Sequence, residues 1–327
     1  MSGPEAHPRI ATLTLNPAVD IACTAPAVVP THKIRTSDER LDPGGGGINV
    51  ARVMHVLGTD AVALIMTGGV TGRLVEELLD ADGIPWQSLP IRGRTRISLN
   101  VHDRQSGLEY RFVPEGPDIA ENEWRHALDI LRDVAADWIV ASGSLPRGVP
   151  VDFYGQAAAI AARRGQKFVL DTSGPGLKEA VGHDVDLLKL SLGELEFLIG
   201  EQARQPGQQE KEIAALHRAG AARMIAVSLG REGALLATAA DVIRLPALPV
   251  KEHSAVGAGD SFLAGLVLGL ARGMSECDAL ALAVAAGSAA VTTYGTARVQ
   301  RDHVDELFHQ LQGAEPPAFP MAKRSSL

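Results

Sequence analysis

The densest chemistry in the chain lies at Val256-Gly257-Ala258-Gly259-Asp260-Ser261, which runs directly into the apolar stretch FLAGLVLGL. Two glycines let the backbone come close to a ligand, and a helix that starts there leaves amide N–H groups unpaired at its positive end. That combination suits an anion, in particular the charge that builds on a phosphoryl group in transit. A carboxylate in the same turn can accept the proton of an attacking hydroxyl, which makes Asp260 the candidate general base. The same residues could equally form a tight turn with Asp260 as a helix cap, so the motif needs a partner elsewhere.

A second glycine run, Asp42-Pro43-Gly44-Gly45-Gly46-Gly47-Ile48-Asn49-Val50-Ala51, leads into another helix with Asn49 in its first turn. Such a loop can press its backbone against a sugar while Asn49 and an acid such as Asp20 bond the hydroxyls. Neither G-x-G-x-x-G at this loop nor G-x-x-x-x-G-K-[ST] in the chain occurs, which disfavours a dinucleotide-dependent dehydrogenase and a P-loop ATPase. Ser142, Ser144 and Ser173 sit in no G-x-S-x-G elbow, so a serine hydrolase has little support. The ten histidines show no H-E-x-x-H spacing and no Cys/His cluster.

These residues need a scaffold. Short β-rich runs at Arg9 to Leu15, Ala61 to Met66, Trp138 to Ala141, Phe168 to Leu170, Leu187 to Leu190 and Met224 to Val227 alternate with amphipathic stretches such as Gly72 to Leu79, Glu123 to Val134 and Glu210 to Arg218. That alternation predicts a mostly parallel sheet covered by helices on both faces. Residues near 20–42 and 94–113 break it and read as extended segments, with Gln105-Ser106-Gly107 as a hairpin turn. We expect them to form a small β-structured lid inserted into one α/β domain spanning the chain. Helices are expected at Gly259 to Ala271, Glu276 to Val291 and Arg301 to Leu311, followed by a loosely ordered Pro-rich tail over 313–327.

Composition narrows the partners. The 327 residues can bury one large core, and with 46% hydrophobic and 21% charged residues the chain should fold. Lys and Arg number 31 against 39 Asp and Glu, a formal charge of −8, which offers no general attraction for nucleic acid or an anionic membrane. An anionic substrate must therefore meet a local cluster of cations or amides. The aromatic residues are too few for a nucleic-acid stacking platform. Cys23 and Cys277 form neither a disulfide framework nor a metal motif, and no run of about 18 apolar residues or signal profile is seen, so a cytoplasmic location is expected.

The pairing of GGGGINVAR with VGAGDSF, about 210 residues apart, resembles the ribokinase-like family of carbohydrate kinases, and the resemblance spans residues 9–312. LTLNPAVD at 13–20, TRISLNV at 95–101, ASGSLPRG at 141–148 and VSLGREG at 227–233 are similar to the branch that phosphorylates sugar phosphates. DPGGGGINVAR looks most like the minor-type 6-phosphofructokinases, since relatives using fructose 1-phosphate or tagatose 6-phosphate usually carry a lysine in this glycine run. The resemblance implies a three-layer ribokinase-like sandwich and ATP-dependent phosphorylation of fructose 6-phosphate at its 1-hydroxyl. A 1-phosphofructokinase, a tagatose-6-phosphate kinase, a kinase for an unphosphorylated sugar or nucleoside, and a non-catalytic sugar-phosphate sensor stay open as alternatives.

The same resemblance implies residue roles. Asp20, Gly45, Gly46 and Asn49 would contact the sugar; Lys33, Arg96 and Ser144 would place its phosphate and the transferring group, with Arg111 a further candidate. Asp260 would be the base and Gly257, Ala258 and Gly259 would supply amides. ATP would lie along Lys189, Ser191, Ser228, Leu229, Gly230, Arg231, Glu232 and Gly233, with Val284 and Ser288 nearby. Glu194 would organise Mg²⁺ through water, and carbonyls at Ser254, Val256, Ala290 and Gly295 match the region where relatives hold K⁺. The chain departs from the family at Lys189-Leu190-Ser191, where Lys-Pro-Asn is usual, and at Ala255, where Thr is common. A homodimer through the lid edges is also implied.

Overall fold

A computed structural model describes residues 8–203, 205–293 and 299–313. Among these described residues the larger sheet has nine strands. In chain order they are β1 (Ile10–Thr14), β4 (Ala61–Thr67), β5 (Trp86–Pro90), β8 (Trp138–Ser142), β9 (Lys167–Asp171), β10 (Leu187–Ser191), β11 (Met224–Ser228), β12 (Ala234–Ala237) and β13 (Val242–Leu245). They lie in the order β13-β12-β11-β10-β9-β8-β1-β4-β5, and β12 alone runs against the rest.

The inner strands β1 and β8 to β12 are mostly buried on both faces, as strands between two layers of helices must be. Alternate residues feed two separate cores. Ile10, Val140, Val169 and Leu187 point to one; Ala11, Ile139, Leu170 and Leu188 point to the other. The first core is closed by α1 (Gly46–Val56), α2 (Gly69–Ala81), α8 (Ala258–Ala271), α9 (Glu276–Val291) and α10 (Arg301–Gly313). The second is closed by α3 (Glu121–Asp133), α4 (Phe153–Arg163), α5 (Gly174–Ala180), α6 (Leu192–Ile199) and α7 (Pro206–Arg218). This is the three-layer α/β sandwich that the sequence led us to expect.

Four strands form the second sheet: β2 (Ala18–Ala25), β3 (Ser37–Gly44), β6 (Arg96–Asp103) and β7 (Glu109–Phe112), ordered β3-β2-β6-β7. The hairpin between β6 and β7 is organised by Asp103, whose Oδ1 accepts from the amides of Gln105 at 2.8 Å and Ser106 at 3.3 Å. This is an Asx-type turn. Along β6, Arg96, Ser98 and Asn100 line a cleft against the main body, whereas the intervening Ile97 is 44% exposed. Strand alternation thus gives the small sheet a polar inner face and, beyond its base, an apolar outer one.

Three strands went unassigned from sequence. β5 contains a proline at its end, and β12 and β13 are four residues each, too short for a periodic signal to develop. Helices α4, α5 and α6 were also unassigned; α4 is a run of small residues, FYGQAAAIAAR, with little amphipathic contrast. The expected tail beyond residue 313 lies outside the described residues.

Candidate active site

α8 starts at a left-handed Gly257 with φ 75°, a conformation that a Cβ would strain, and no side chain caps the helix. Among the expected amide donors, that of Ala258 turns back to the Ala255 carbonyl at 3.3 Å. Asp260 sits in the first turn. Its Oδ2 accepts from Asn49 Nδ2 at 2.9 Å, so the two motifs meet although 211 residues separate them. Burial of the carboxyl, reinforced by the nearby Asp171, pushes the Asp260 pKa up to about 7 against the pull of Asn49 and Lys189. A carboxylate poised near neutrality is suited to accepting a proton.

Asn49 is aimed by the glycine run. A Cβ on Gly46 would collide with the Ser142 side chain, so only glycine lets α1 pack against the end of β8. The strand leading in is pinned by fully buried Asp42, which accepts from Arg40 Nε at 2.7 Å and pairs with Arg52 at 3.5 Å. Arg52 in turn reaches Asp82 at 2.9 Å, tying the small sheet to α1 and the end of α2.

A cleft of about 330 Å³ lies between the two sheets, lined by Asp20, Gly45, Gly46, Asn49, Arg96, Arg111, Ser144, Asp171, Lys189, Glu194, Gly257 and Asp260. Arg96 donates to the carbonyls of Pro114 at 2.8 Å and Asn16 at 2.9 Å, while its Nε is buried without a hydrogen-bond partner. Burial lowers its pKa and Asp20 opposes this; the guanidinium stays charged. Burial likewise raises the Asp20 pKa, against the Ser98 hydroxyl and the two arginines. Lys33 is not brought in: it is exposed in the loop between β2 and β3 and does not line this cleft.

At the floor, Lys189 pairs with Asp171 at 3.1 Å, and Ser142 Oγ donates to the other Asp171 oxygen at 3.2 Å. Burial works against the Lys189 ammonium, but Asp171, Glu194 and Asp260 together hold its pKa above the ordinary value. Asp171 escaped the sequence analysis. Its signal was a carboxylate at the carboxyl end of a parallel strand, where ligands of open α/β sheets gather.

A second cavity of about 740 Å³ opens on the other side of the same turn. Ser228, Gly230, Arg231, Gly233, Ala258, Gly259, Val284 and Ser288 line it, with Leu248, Pro249, Val250 and Phe262 as apolar walls. Such walls suit a flat heteroaromatic base. Several expected nucleotide residues are placed elsewhere. Lys189 faces the first cleft. Ser191 caps α6, its Oγ accepting from Glu194 N at 3.3 Å while Glu194 Oε2 accepts from Ser191 N at 2.7 Å. Leu229 is buried in the core, its amide bonded to Gly233 O, and Glu232 turns to accept from Gln209 at 3.3 Å. Apolar Leu229 belongs with the core, and Gly230, at φ 57°, opens the short 3₁₀ turn Gly230–Glu232.

The capping box also fixes Glu194 at the edge of the first cleft. Among the described residues no three His, Cys, Asp or Glu side chains converge on a metal position. A divalent ion here would draw on phosphates and water with no more than one or two carboxylates, which is how Mg²⁺ is usually held. For the monovalent site, the Ser254 amide donates to the Val291 carbonyl at 3.3 Å, and the Ala290 carbonyl accepts from the Thr293 amide at 3.2 Å and hydroxyl at 2.9 Å. Gly295 lies outside the described residues.

A family model described as pfkB family carbohydrate kinase matches residues 13–302. The ATP-dependent 6-phosphofructokinase isozyme 2 of Mycobacterium tuberculosis is 43% identical over 314 residues, covering 95% of this chain and 92% of that one. Phosphofructokinase-2 from Escherichia coli, solved in complex with fructose-6-phosphate, superposes with a TM-score of 0.88 at 34% identity, covering 93% of this chain and 99% of that one. The same E. coli enzyme solved in complex with potassium gives a TM-score of 0.90 at 35% identity with the same coverage. Glycine loop, carboxylate turn and two-sheet architecture thus fall inside one matched span, and the chain belongs to the pfkB family of carbohydrate kinases.

Proposed function

We propose that this chain transfers the γ-phosphoryl group of ATP to the 1-hydroxyl of fructose 6-phosphate, giving fructose 1,6-bisphosphate and ADP. The observation that carries the reading is the turn at 256–260, which has Gly257 and Asp260 on a polar cleft and Ala258 and Gly259 on an apolar one. A phosphoryl group passing from one cavity to the other must cross the start of α8.

Asp260 takes the proton of the 1-hydroxyl as its oxygen bonds to the γ-phosphorus and the bond to the bridging oxygen of ADP breaks. Asn49 holds the carboxylate in place. Lys189, charged and shielded by Asp171, faces the transferring group, and the helix start stabilises charge on it. Arg96 and Arg111 supply the cations that the acceptor's own phosphate needs in a chain of formal charge −8. The small sheet acts as a lid, excluding water that would otherwise compete with the sugar. Glu194 is the residue that would hold the water shell of Mg²⁺, which would supply neutralisation of the nucleotide's phosphate charge. Ser254, Val256 and Ala290 are the candidates for carbonyls around K⁺.

The exposed Leu41, Ile97 and Phe112 on the outer face of the small sheet support a homodimer through the lid. Both cysteines are unpaired, and among the described residues no helix is long and apolar enough to cross a membrane, which accords with a cytoplasmic location.

Comparing kcat/KM for fructose 6-phosphate, fructose 1-phosphate, tagatose 6-phosphate and unphosphorylated sugars at fixed ATP tests the acceptor. A clear preference for fructose 6-phosphate is expected. Preference for another acceptor would overturn the substrate, and binding without ADP formation would overturn catalysis.

A further inference from the structure

β7 is an edge strand of the small sheet, and the first residue on it reaches the main body. Ser254 Oγ donates to Glu109 Oε2 at 3.1 Å, and the same hydroxyl accepts from Val256 N at 3.2 Å. Ser254 is only 6% exposed and Glu109 is half-buried, so the hydroxyl end of the contact is shielded from water. Strand alternation puts Glu109 on the same face as Arg111, which lines the acceptor cleft. Val256 and Gly257 line that cleft too, immediately before the α8 turn that carries Asp260.

We propose that Glu109 is a positioning residue: through the Ser254 hydroxyl it fixes the free edge of the small sheet to the turn that carries the base. The inference rests on the phosphoryl-transfer reading above. A hydroxyl that gives its proton to a carboxylate has its lone pairs turned toward the Val256 amide, so sheet position and turn geometry are set together. When the sheet moves away, Ser254 loses its acceptor and the turn loses one restraint. Lid closure and assembly of the anion pocket then become one event. Glu109 touches no reacting atom, and its influence on rate runs wholly through this contact.

Steady-state kinetics of Glu109→Ala, Glu109→Gln and Ser254→Ala, with the double variant Glu109→Ala/Ser254→Ala, test this. Losing one charge-assisted hydrogen bond at the turn should lower kcat about tenfold, with KM for ATP changed less than kcat. Glu109→Gln, whose amide oxygen still accepts, should recover most of the rate, and the double variant should be no worse than the poorer single one. Wild-type kcat in Glu109→Ala, equal losses in the alanine and glutamine variants, or multiplicative losses in the double variant would each overturn the proposal. Rates are taken as ratios to wild type on whichever acceptor of the panel it turns over best. Absence of fructose 6-phosphate turnover would then count against the substrate and leave the latch testable.

Discussion

The two cavities flanking the α8 turn are built in opposite ways. The acceptor cleft is assembled from the small sheet, the glycine run, β9, β10 and α8, and its charges are engaged: Asp171 with Lys189, Asp260 with Asn49. The nucleotide cavity draws on segments 228–233, 247–262 and 284–291 and is walled mainly by backbone and apolar side chains. On the proposed reading the first must discriminate a sugar phosphate and move a proton, so it needs fixed polar groups whose cost of burial is offset by pairing. The second has only to hold a base and guide phosphates, which apolar walls and main-chain amides can do. Substitutions in the first should therefore be severe and chemical, and those in the second mild and confined to ATP affinity.

The sharpest way to break this contrast is Asp260→Ala. Loss of a general base should lower kcat by about 10³-fold while binding of both substrates persists. Near-normal turnover with the fold intact would remove the carboxylate from the mechanism. Next comes Arg96→Ala, expected to raise KM for the phosphorylated acceptor by about tenfold or more with KM for ATP little changed. A comparable rise in KM for ATP would show that the two cavities are not separate in function.

The asymmetry also decides what could be read from the sequence. The meeting of Asp260, Asn49 and both glycine runs at one cleft was legible because each motif keeps its particular residue types close together in sequence. The parallel strands β1, β4 and β8 to β11 were legible because double-sided burial leaves continuous apolar runs. Asp171 was not, since a single acid after KFVL looks like any strand end and its partner Lys189 is 18 residues away. Leu229 and Glu232 lie away from the second cavity because Leu229 packs into the core and Glu232 bonds to Gln209, contacts distant in sequence that the motif does not disclose. Lys33 was assigned by resemblance alone, and in a single chain its loop keeps it in solvent.

pH separates the cavities by their charge content. With the Asp260 pKa at about 7, kcat/KM should rise through neutrality as the base ionises. Asn49→Leu removes a hydrogen bond that favours the ionised form and should move the limb to higher pH. Asp171→Asn removes a repelling charge and should move it lower. Stability follows the opposite sense. The folded pKa lies above the ordinary 3.8, so the fold loses stability as pH rises from about 4 to about 7 and no further above that. Asp260→Asn should therefore melt several degrees above wild type at pH 8, with the gap closing toward pH 4 in a thermal scan. A gap independent of pH would assign the effect to packing.

The smallest effect belongs to the nucleotide side. Ala255 lines that cavity at its exposed rim. Ala255→Thr adds one hydroxyl in a solvent-accessible place, and a neutral hydrogen bond there contributes about 1 kcal/mol at most. KM for ATP should fall about threefold, with kcat and KM for the acceptor unchanged, in initial-rate kinetics that vary both substrates. A change of similar size in acceptor KM would mean that the 252–257 loop transmits strain through the turn, as it would if Ser254 and Val256 moved with it. In that event the α8 turn would couple the two cavities rather than divide them.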